Sequence, residues 1–254
     1  MDRVIYYTIF FIVLGGIGMA VANRKAETVV RRQRWTKYFM YILITGTVIT
    51  SIFLHFFYCL SWIIVLAAAI ELGKVNIPRH VKRSTAILSF GVFLPVATGF
   101  ICFAKTFNEP FLLFIYFQVL VFDGFCQVTG QLFGRHPLAP KISPTKTWEG
   151  LAGGWWCCMI AAILAAGWLK MGFVAIYFGL LCGVLTGLVS LWGDLLASFY
   201  KRKVQVKDYS NWLPGQGGFL DRFDSFLLTG AVYYWVYILI FKEGFSEFIK
   251  QAPA

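Results

Sequence analysis

YFMYILITGTVITSIFLHFFYCLSWIIVLAAAI, running from Tyr38 to Ile70, contains no Asp, Glu, Lys or Arg. A helix needs about 20 mainly apolar residues to cross the hydrocarbon core of a bilayer, so this run is too long for one crossing and short for two. The charges on either side decide between them. Upstream, Asn23–Lys37 holds Arg24, Lys25, Arg31, Arg32, Arg34 and Lys37; downstream, the next interruption holds Lys74, Arg79, Lys82 and Arg83. Basic segments stay on the cytoplasmic side of a membrane, so an even number of crossings lies between these two. The run therefore predicts two short helices turning near His55–Cys59.

Other charge-free runs extend the pattern outward: Val4–Asn23, Ser84–Ala104, Gly150–Leu169, Met171–Gly193 and Ser225–Phe241. Another span, from Pro110 to Gln131, is broken only by Asp123. The expectation is an all-α polytopic integral membrane protein of about eight transmembrane helices, with both termini outside. Leu132–Glu149, with Arg135, Lys141 and Lys146, and Tyr200–Asp224, with Lys201, Arg202, Lys203, Lys207 and Arg222, fall on the inside. The outer segments keep Arg3, Lys105, Lys170, Lys242 and Lys250.

Composition agrees. The chain has 254 residues, 59% apolar, 19% aromatic and 14% charged, with a mean hydropathy of +0.70. Water-soluble domains carry about 25% charged residues, so lipid is the solvent here; a soluble enzyme, a disordered chain and a disulfide scaffold are excluded. The net charge of +11 fits basic inner loops and is compatible with an anionic partner. Six cysteines form no C-x-x-C pair and lie in apolar runs, and the three histidines are scattered, so no zinc site is expected. The first apolar run is long enough to stay as an anchor.

Beyond Pro110 the loops become rich in Gly, Pro, Lys and Asp, and function is sought there. Charged groups at membrane depth are costly and mark functional sites. Asp123 shares a helical face with Gln127 and Gln131, a stripe suited to a water-filled or ligand-lined cavity, or to gluing helices together. Asp194 and Ser198, one turn apart, can share a hard cation. The strongest segment is KRKVQVKDYSNWLPGQGGFLDRFD, Lys201–Asp224. Its glycines let the backbone approach a ligand, its Lys and Arg residues suit phosphate oxygens, and Asp221 and Asp224 suit the magnesium that accompanies a nucleoside triphosphate. A basic loop with an acid-capped helix explains the lysines, but not the aspartates and glycines together. A second loop, Gly134–Gly150, offers Lys141, Ser143, Lys146 and Thr147; a Thr before Trp148 also suits a helix cap. Neither a P-loop nor a G-x-G-x-x-G motif occurs.

These motifs together resemble the phosphatidate cytidylyltransferase (CDP-diacylglycerol synthase) family. Its signature runs Ser, any residue, an apolar residue, Lys-Arg, four residues, Lys-Asp, then Pro, any residue, His-Gly-Gly, apolar, any residue, Asp-Arg, apolar, Asp. Ser198, Lys201, Arg202, Lys207, Asp208, Pro214, Gly217, Gly218, Asp221, Arg222 and Asp224 fall on it without a gap. Asp123-Gly124, Leu138-Ala139-Pro140-Lys141, Ser143-Pro144, Lys146-Thr147-Trp148 and Gly193-Asp194 are also similar, so the resemblance covers about residues 110–241. Gln216 stands where the signature has His, Tyr200 replaces a smaller apolar residue or Phe, and Ala197 stands where Glu is common.

The resemblance implies magnesium-dependent transfer of the cytidylyl group of CTP to phosphatidate, giving CDP-diacylglycerol and pyrophosphate in phospholipid biosynthesis. It implies catalytic roles for Asp123, Asp194, Asp221 and Asp224, with metal on Asp194, Ser198 and Asp221. Substrate contacts are implied for Lys141, Ser143, Lys146, Lys201 and Arg202, and for Lys207, Gln216, Gly217, Gly218 and Arg222. Residues 1–109 are then N-terminal membrane helices, about four spans, and residues 110–254 the catalytic membrane helices with their motif loops, within one compact membrane domain. Expected partners are CTP, a lipid phosphate and membrane lipid, not nucleic acid; a homodimer stays open. The site is expected to face the cytoplasm from the inner or cytoplasmic membrane. A related CTP-dependent transferase with another lipid-phosphate acceptor, or a silenced paralogue that binds nucleotide or lipid, satisfies the same residues. A transporter reading rests on Asp123 alone, and the other polar groups gather on the cytoplasmic side instead of at midplane.

Overall fold

The structure is a computed structural model that describes residues 2–24, 26–77, 81–166, 174–213 and 217–241. Among the topology-setting charges, Lys25, Arg79, Lys170, Lys242 and Lys250 lie outside these residues, as does Gln216. The described chain forms eight α-helices: α1 (Asp2–Ala22), α2 (Thr28–Phe53), α3 (Phe57–Asn76), α4 (Arg83–Thr106), α5 (Glu109–Phe133), α6 (Trp148–Ala166), α7 (Val174–Lys203) and α8 (Leu220–Phe241). Six of them, α2 to α7, are long and apolar enough to cross a membrane by length and composition, and α1 contributes the shorter apolar stretch Tyr6–Ala22. Large apolar side chains such as Phe10, Leu43, Ile63, Leu88, Trp156 and Leu188 are exposed on the outer surface, as a lipid-facing bundle requires.

The charge-free run Tyr38–Ile70 divides where expected. His55 takes φ of +60°, and the Phe56 N–H closes back on the Ser51 carbonyl at 2.8 Å, the hydrogen bond of a left-handed helix stop. His55 Nδ1 also meets Glu109 Oε1 at 2.7 Å, tying this turn to the start of α5. The upstream basic segment, expected as a loop, instead forms the first turns of α2 from Thr28. Arg and Lys are good helix formers, and Arg34 donates to the Ala22 carbonyl and to Asn23 Oδ1, each at 3.2 Å, closing the short α1–α2 connection. At the other end of the chain α7 likewise runs on into its basic residues as far as Lys203. It stops where Gln205 takes φ of +60° and the Val206 N–H reaches the Lys201 carbonyl at 2.9 Å.

Helix α5 is the axis of the bundle. Its residues from Phe111 to Phe122 are buried without a break, and α1, α2, α6, α7 and α8 all pack on it. Its start is capped by Asn108, whose side chain accepts from the Phe111 N–H at 3.2 Å, with Pro110 in the first turn. Against it α6 sits very close: a Cβ at Gly154 would lie 2.9 Å from the Phe122 carbonyl, so only glycine permits the approach. Around Phe226 of α8, Phe100 and Tyr116 pack edge-on at ring-centroid distances of 5.1 and 4.9 Å, each pair worth about 0.5–1.5 kcal/mol. Polar pairs join α7 to α8: Ser190 with Thr229 at 3.2 Å, and the Ser225 hydroxyl donating to the Ser190 carbonyl at 3.1 Å.

One non-helical element interrupts the bundle. The loop between α5 and α6 forms an antiparallel hairpin, β1 (Pro137–Ala139) with β2 (Ser143–Thr147), pairing Pro137 with Thr147 and Ala139 with Ser143. Glu149 accepts from the Arg135 and His136 N–H groups at 3.0 and 3.2 Å, which folds the hairpin back over the end of α6. Thr147 acts as the expected cap: its Oγ1 accepts from the Gly150 N–H at 3.1 Å.

Candidate active site

A cavity of about 1440 Å³ opens where the ends of α5, α7 and α8 meet the hairpin. Helix α5 contributes Asp123, Gln127 and Gln131, so the polar stripe expected on that helix faces a cavity. The hairpin brings Ser143 and Lys146, and α7 brings Asp194, Ser198, Lys201 and Arg202. Lys207, Asp208 and Gly217 come from the α7–α8 loop, and Asp221, Arg222 and Asp224 from the first turn of α8. Residues scattered over a hundred positions thus line one space. Among the described residues, two expected members do not line it. Lys141 is exposed at the hairpin tip, and Gly218 is buried behind the loop.

Two lysine–carboxylate pairs organise the polar end. Lys146 forms an ion pair with Asp194 Oδ2, and Asp194 Oδ1 accepts from the Ser198 hydroxyl at 3.2 Å. Burial alone lowers the pKa of the Lys146 ammonium, but contact with Asp194, reinforced by Asp123 and Asp224, holds it above the ordinary lysine value. Lys146 therefore stays charged among carboxylates. The second pair joins Lys201 Nζ to Asp221 Oδ1 at 2.6 Å. Asp221 Oδ2 accepts from the Tyr209 N–H at 2.8 Å and from the Gly218 N–H at 2.9 Å. Arg202 Nε donates to the Ile142 carbonyl at 3.3 Å, which ties the hairpin to α7. Gly217 takes φ of +83°, a conformation natural to glycine, and its carbonyl accepts from the Leu213 N–H at 2.9 Å.

The residues expected to hold metal divide. Among the described residues, no group of three or more His, Cys, Asp or Glu side chains converges as a metal cage. Magnesium rarely uses such a cage; it binds through one or two carboxylates together with substrate phosphates. Asp194 fits that pattern, because its side chain is 33% exposed and Ser198 lies beside it. Asp221 fits it poorly: its side chain is fully buried and both oxygens are already engaged by Lys201 and two backbone N–H groups.

Several residues at or behind the site escaped the motif reading. Arg32, Gln33 and Lys37 of α2 also line the cavity, with Phe11, Ile12 and Met19 of α1 and Tyr38 and Tyr41 of α2. In sequence the charges of Arg32 and Lys37 read only as topology signals. Glu71 of α3 is fully buried and accepts from Ser210 Oγ at 2.6 Å, the Phe219 N–H at 2.9 Å and the Leu220 N–H at 2.8 Å. Its signal was present: Glu71 is the sole acid between Glu27 and Glu109, at the edge of an apolar run.

Comparison with known proteins adds an independent line. A family model described as "Cytidylyltransferase family" matches residues 3–241. The phosphatidate cytidylyltransferase of Mycobacterium bovis is 43% identical over 111 residues, 44% of this chain and 35% of its own length. That of Rickettsia felis is 33% identical over 155 residues, covering 58% of this chain and 68% of the relative. The Rickettsia prowazekii enzyme of the same name is 29% identical over 208 residues, 78% of this chain and 91% of the relative. The chain thus spans about a third of the length of the mycobacterial relatives it matches, and most of the length of the Rickettsia prowazekii one.

Proposed function

The chain belongs to the cytidylyltransferase family, and from that premise we propose that it transfers the cytidylyl group of CTP to phosphatidate, giving CDP-diacylglycerol and pyrophosphate. The chain is an integral membrane protein. In the proposed orientation its eight helices cross the membrane with the basic hairpin and α7–α8 loop in the cytoplasm, where CTP is found. The observation that carries the reading is the composition of one cavity. Carboxylates, lysines and arginines line it together with apolar residues such as Phe11, Ile12 and Met19 of α1 and Val119 and Leu120 of α5, so a polyphosphate and a lipid phosphate can share the same space.

In the reaction an oxygen of the lipid phosphate attacks the α-phosphorus of CTP. A new phosphoanhydride bond forms as the bond to the β-phosphate bridging oxygen breaks, and pyrophosphate leaves with that electron pair. The attacking phosphate is already anionic, so no strong general base is needed; the task is to hold two polyanions together and to neutralise charge on the leaving group. Lys146 and Lys201 are each aimed into the cavity by a carboxylate, and Arg222, Arg202 and Lys207 stand around its mouth; together they bind phosphate oxygens. Ser143 and the Gly217 backbone close the approach. Asp123 and Asp224 orient these cations. Magnesium arriving with the triphosphate would be held by Asp194 and Ser198 and would supply charge neutralisation at the phosphates.

The test is direct. Purified protein is incubated with labelled CTP, magnesium and a panel of lipid phosphates. Labelled CDP-diacylglycerol with stoichiometric pyrophosphate is the expected product, fastest with phosphatidate. Faster product with a polyprenyl or ether-lipid phosphate would move the acceptor, and no CDP-lipid with any acceptor would leave a binding paralogue.

A further inference from the structure

We propose that Glu71 is a positioning residue for this reaction: from α3, outside every recognised motif, it fixes the start of α8 and so the placement of Lys201 and Arg222. The inference rests on the function proposed above.

Glu71 does not line the cavity; it stands behind it. A fully buried carboxylate is tolerated only when its charge is matched by donors, and here the donors are informative. Phe219 and Leu220 lend N–H groups that open α8 and have no partner within that helix, and the first turn of a helix favours a negative charge. A carboxylate on α3, five helices earlier in the chain, thus does the work of a local cap. The next turn of α3 touches the same loop once more and the end of α7 once. Lys74 Nζ lies 4.6 Å from the Trp212 ring centroid, and Asn76 Oδ1 accepts from the Tyr200 hydroxyl.

Gly218 is shaped to this contact. A Cβ there would fall 2.5 Å from both Glu71 carboxylate oxygens, so the second glycine of the pair is required by Glu71 and not by a ligand. On the loop's opposite side Asp221 holds the Gly218 N–H. The segment is therefore clamped between two carboxylates, one of which also holds Lys201. Loosening Glu71 lets α8's first turn shift and moves Lys201 and Arg222 with it.

The experiment uses the full chain in lipid nanodiscs and measures CDP-lipid formation together with amide hydrogen exchange. Glu71→Gln keeps the volume and removes the charge. The expected result is a fall in kcat of at least about thirtyfold and a raised KM for CTP, with KM for the lipid phosphate unchanged, since charge-assisted hydrogen bonds are lost. Exchange of residues 217–222 should rise at least about tenfold while α4 stays protected. Should Glu71→Gln not fold, Ser210→Ala removes a single donor and is expected to lower kcat about threefold to tenfold. Gly218→Ala is expected to cost about thirtyfold in the natural chain but less than about threefold with Glu71→Asp, whose shorter side chain makes room. The proposal is overturned if Glu71→Gln keeps kcat within threefold of the natural chain, if exchange rises uniformly in all helices, or if Gly218→Ala costs the same in both backgrounds. If the natural chain makes no CDP-lipid, the function is wrong, and the local exchange response alone decides the role of Glu71.

Discussion

Lys146–Asp194 and Lys201–Asp221 are chemically the same pair placed in two different settings. The first joins the hairpin to α7, with side chains 25% and 33% exposed; the second joins α7 to α8, with side chains 12% and 0% exposed. Asp194 has a single hydroxyl besides its lysine, whereas Asp221 also carries two backbone N–H groups. An open pair can exchange its partner for a phosphate or a cation at little cost, because partly exposed ion pairs contribute about 0–1 kcal/mol. A closed pair cannot: removing one member leaves the other charge stranded, at a cost of about 3–5 kcal/mol. The two carboxylates thus divide: Asp194 is open enough to serve the proposed cation site, and Asp221 builds the wall and holds Lys201 in place.

Asp221→Asn should do the greatest damage. The amide cannot accept from Tyr209, Gly218 and Lys201 together, so a stability loss of about 3–5 kcal/mol and undetectable turnover are expected. A melt measured in the same nanodiscs as the assay checks both. A wild-type melting curve would break the distinction drawn here. Asp194→Asn should separate the two effects: turnover falls by about a thousandfold or more, while the melting midpoint moves by less than about 2 °C. Near-normal turnover would remove Asp194 from the proposed cation site. Gln216 sharpens the contrast at the smallest scale, because in sequence it falls between Tyr209 and Gly218, whose N–H groups Asp221 holds. Gln216→Ala is expected to lose about one to two kcal/mol of transition-state stabilisation, one hydrogen bond. Gln216→His should stay within about tenfold of the natural rate, since either side chain can donate to an oxygen. A large gain from His would show that the natural chain lacks a proton carrier.

Much of this architecture could be read from charge placement. The parity of basic segments around Tyr38–Ile70 placed the α2–α3 turn, and the Asp123–Gln127–Gln131 spacing placed a polar stripe that does face a cavity. Other features could not be read in the same way. Arg31, Arg32 and Lys37 signal which side of the membrane they occupy but not whether the backbone there is coiled, and helical propensity carried α2 through them. The hairpin has only three and five residues in its strands, too few for an alternating pattern to show. Glu71 was visible as an isolated acid, yet its donors are Ser210, Phe219 and Leu220, well over a hundred positions away. A motif read along the chain cannot find a partner supplied by a different helix.

That last contact bears on modularity. Cutting the chain at residue 109 would separate the motif-bearing half from α3, and with it the carboxylate that opens α8. The Phe219 and Leu220 N–H groups would then face an apolar interior with nothing to accept from them, each at a cost of about 1–3 kcal/mol. The C-terminal half is accordingly not a transplantable cartridge. A chimera that grafts residues 110–254 onto a foreign anchor must bring an acid on the neighbouring helix, and a split version should regain its first α8 turn only when the fragment containing Glu71 is co-expressed.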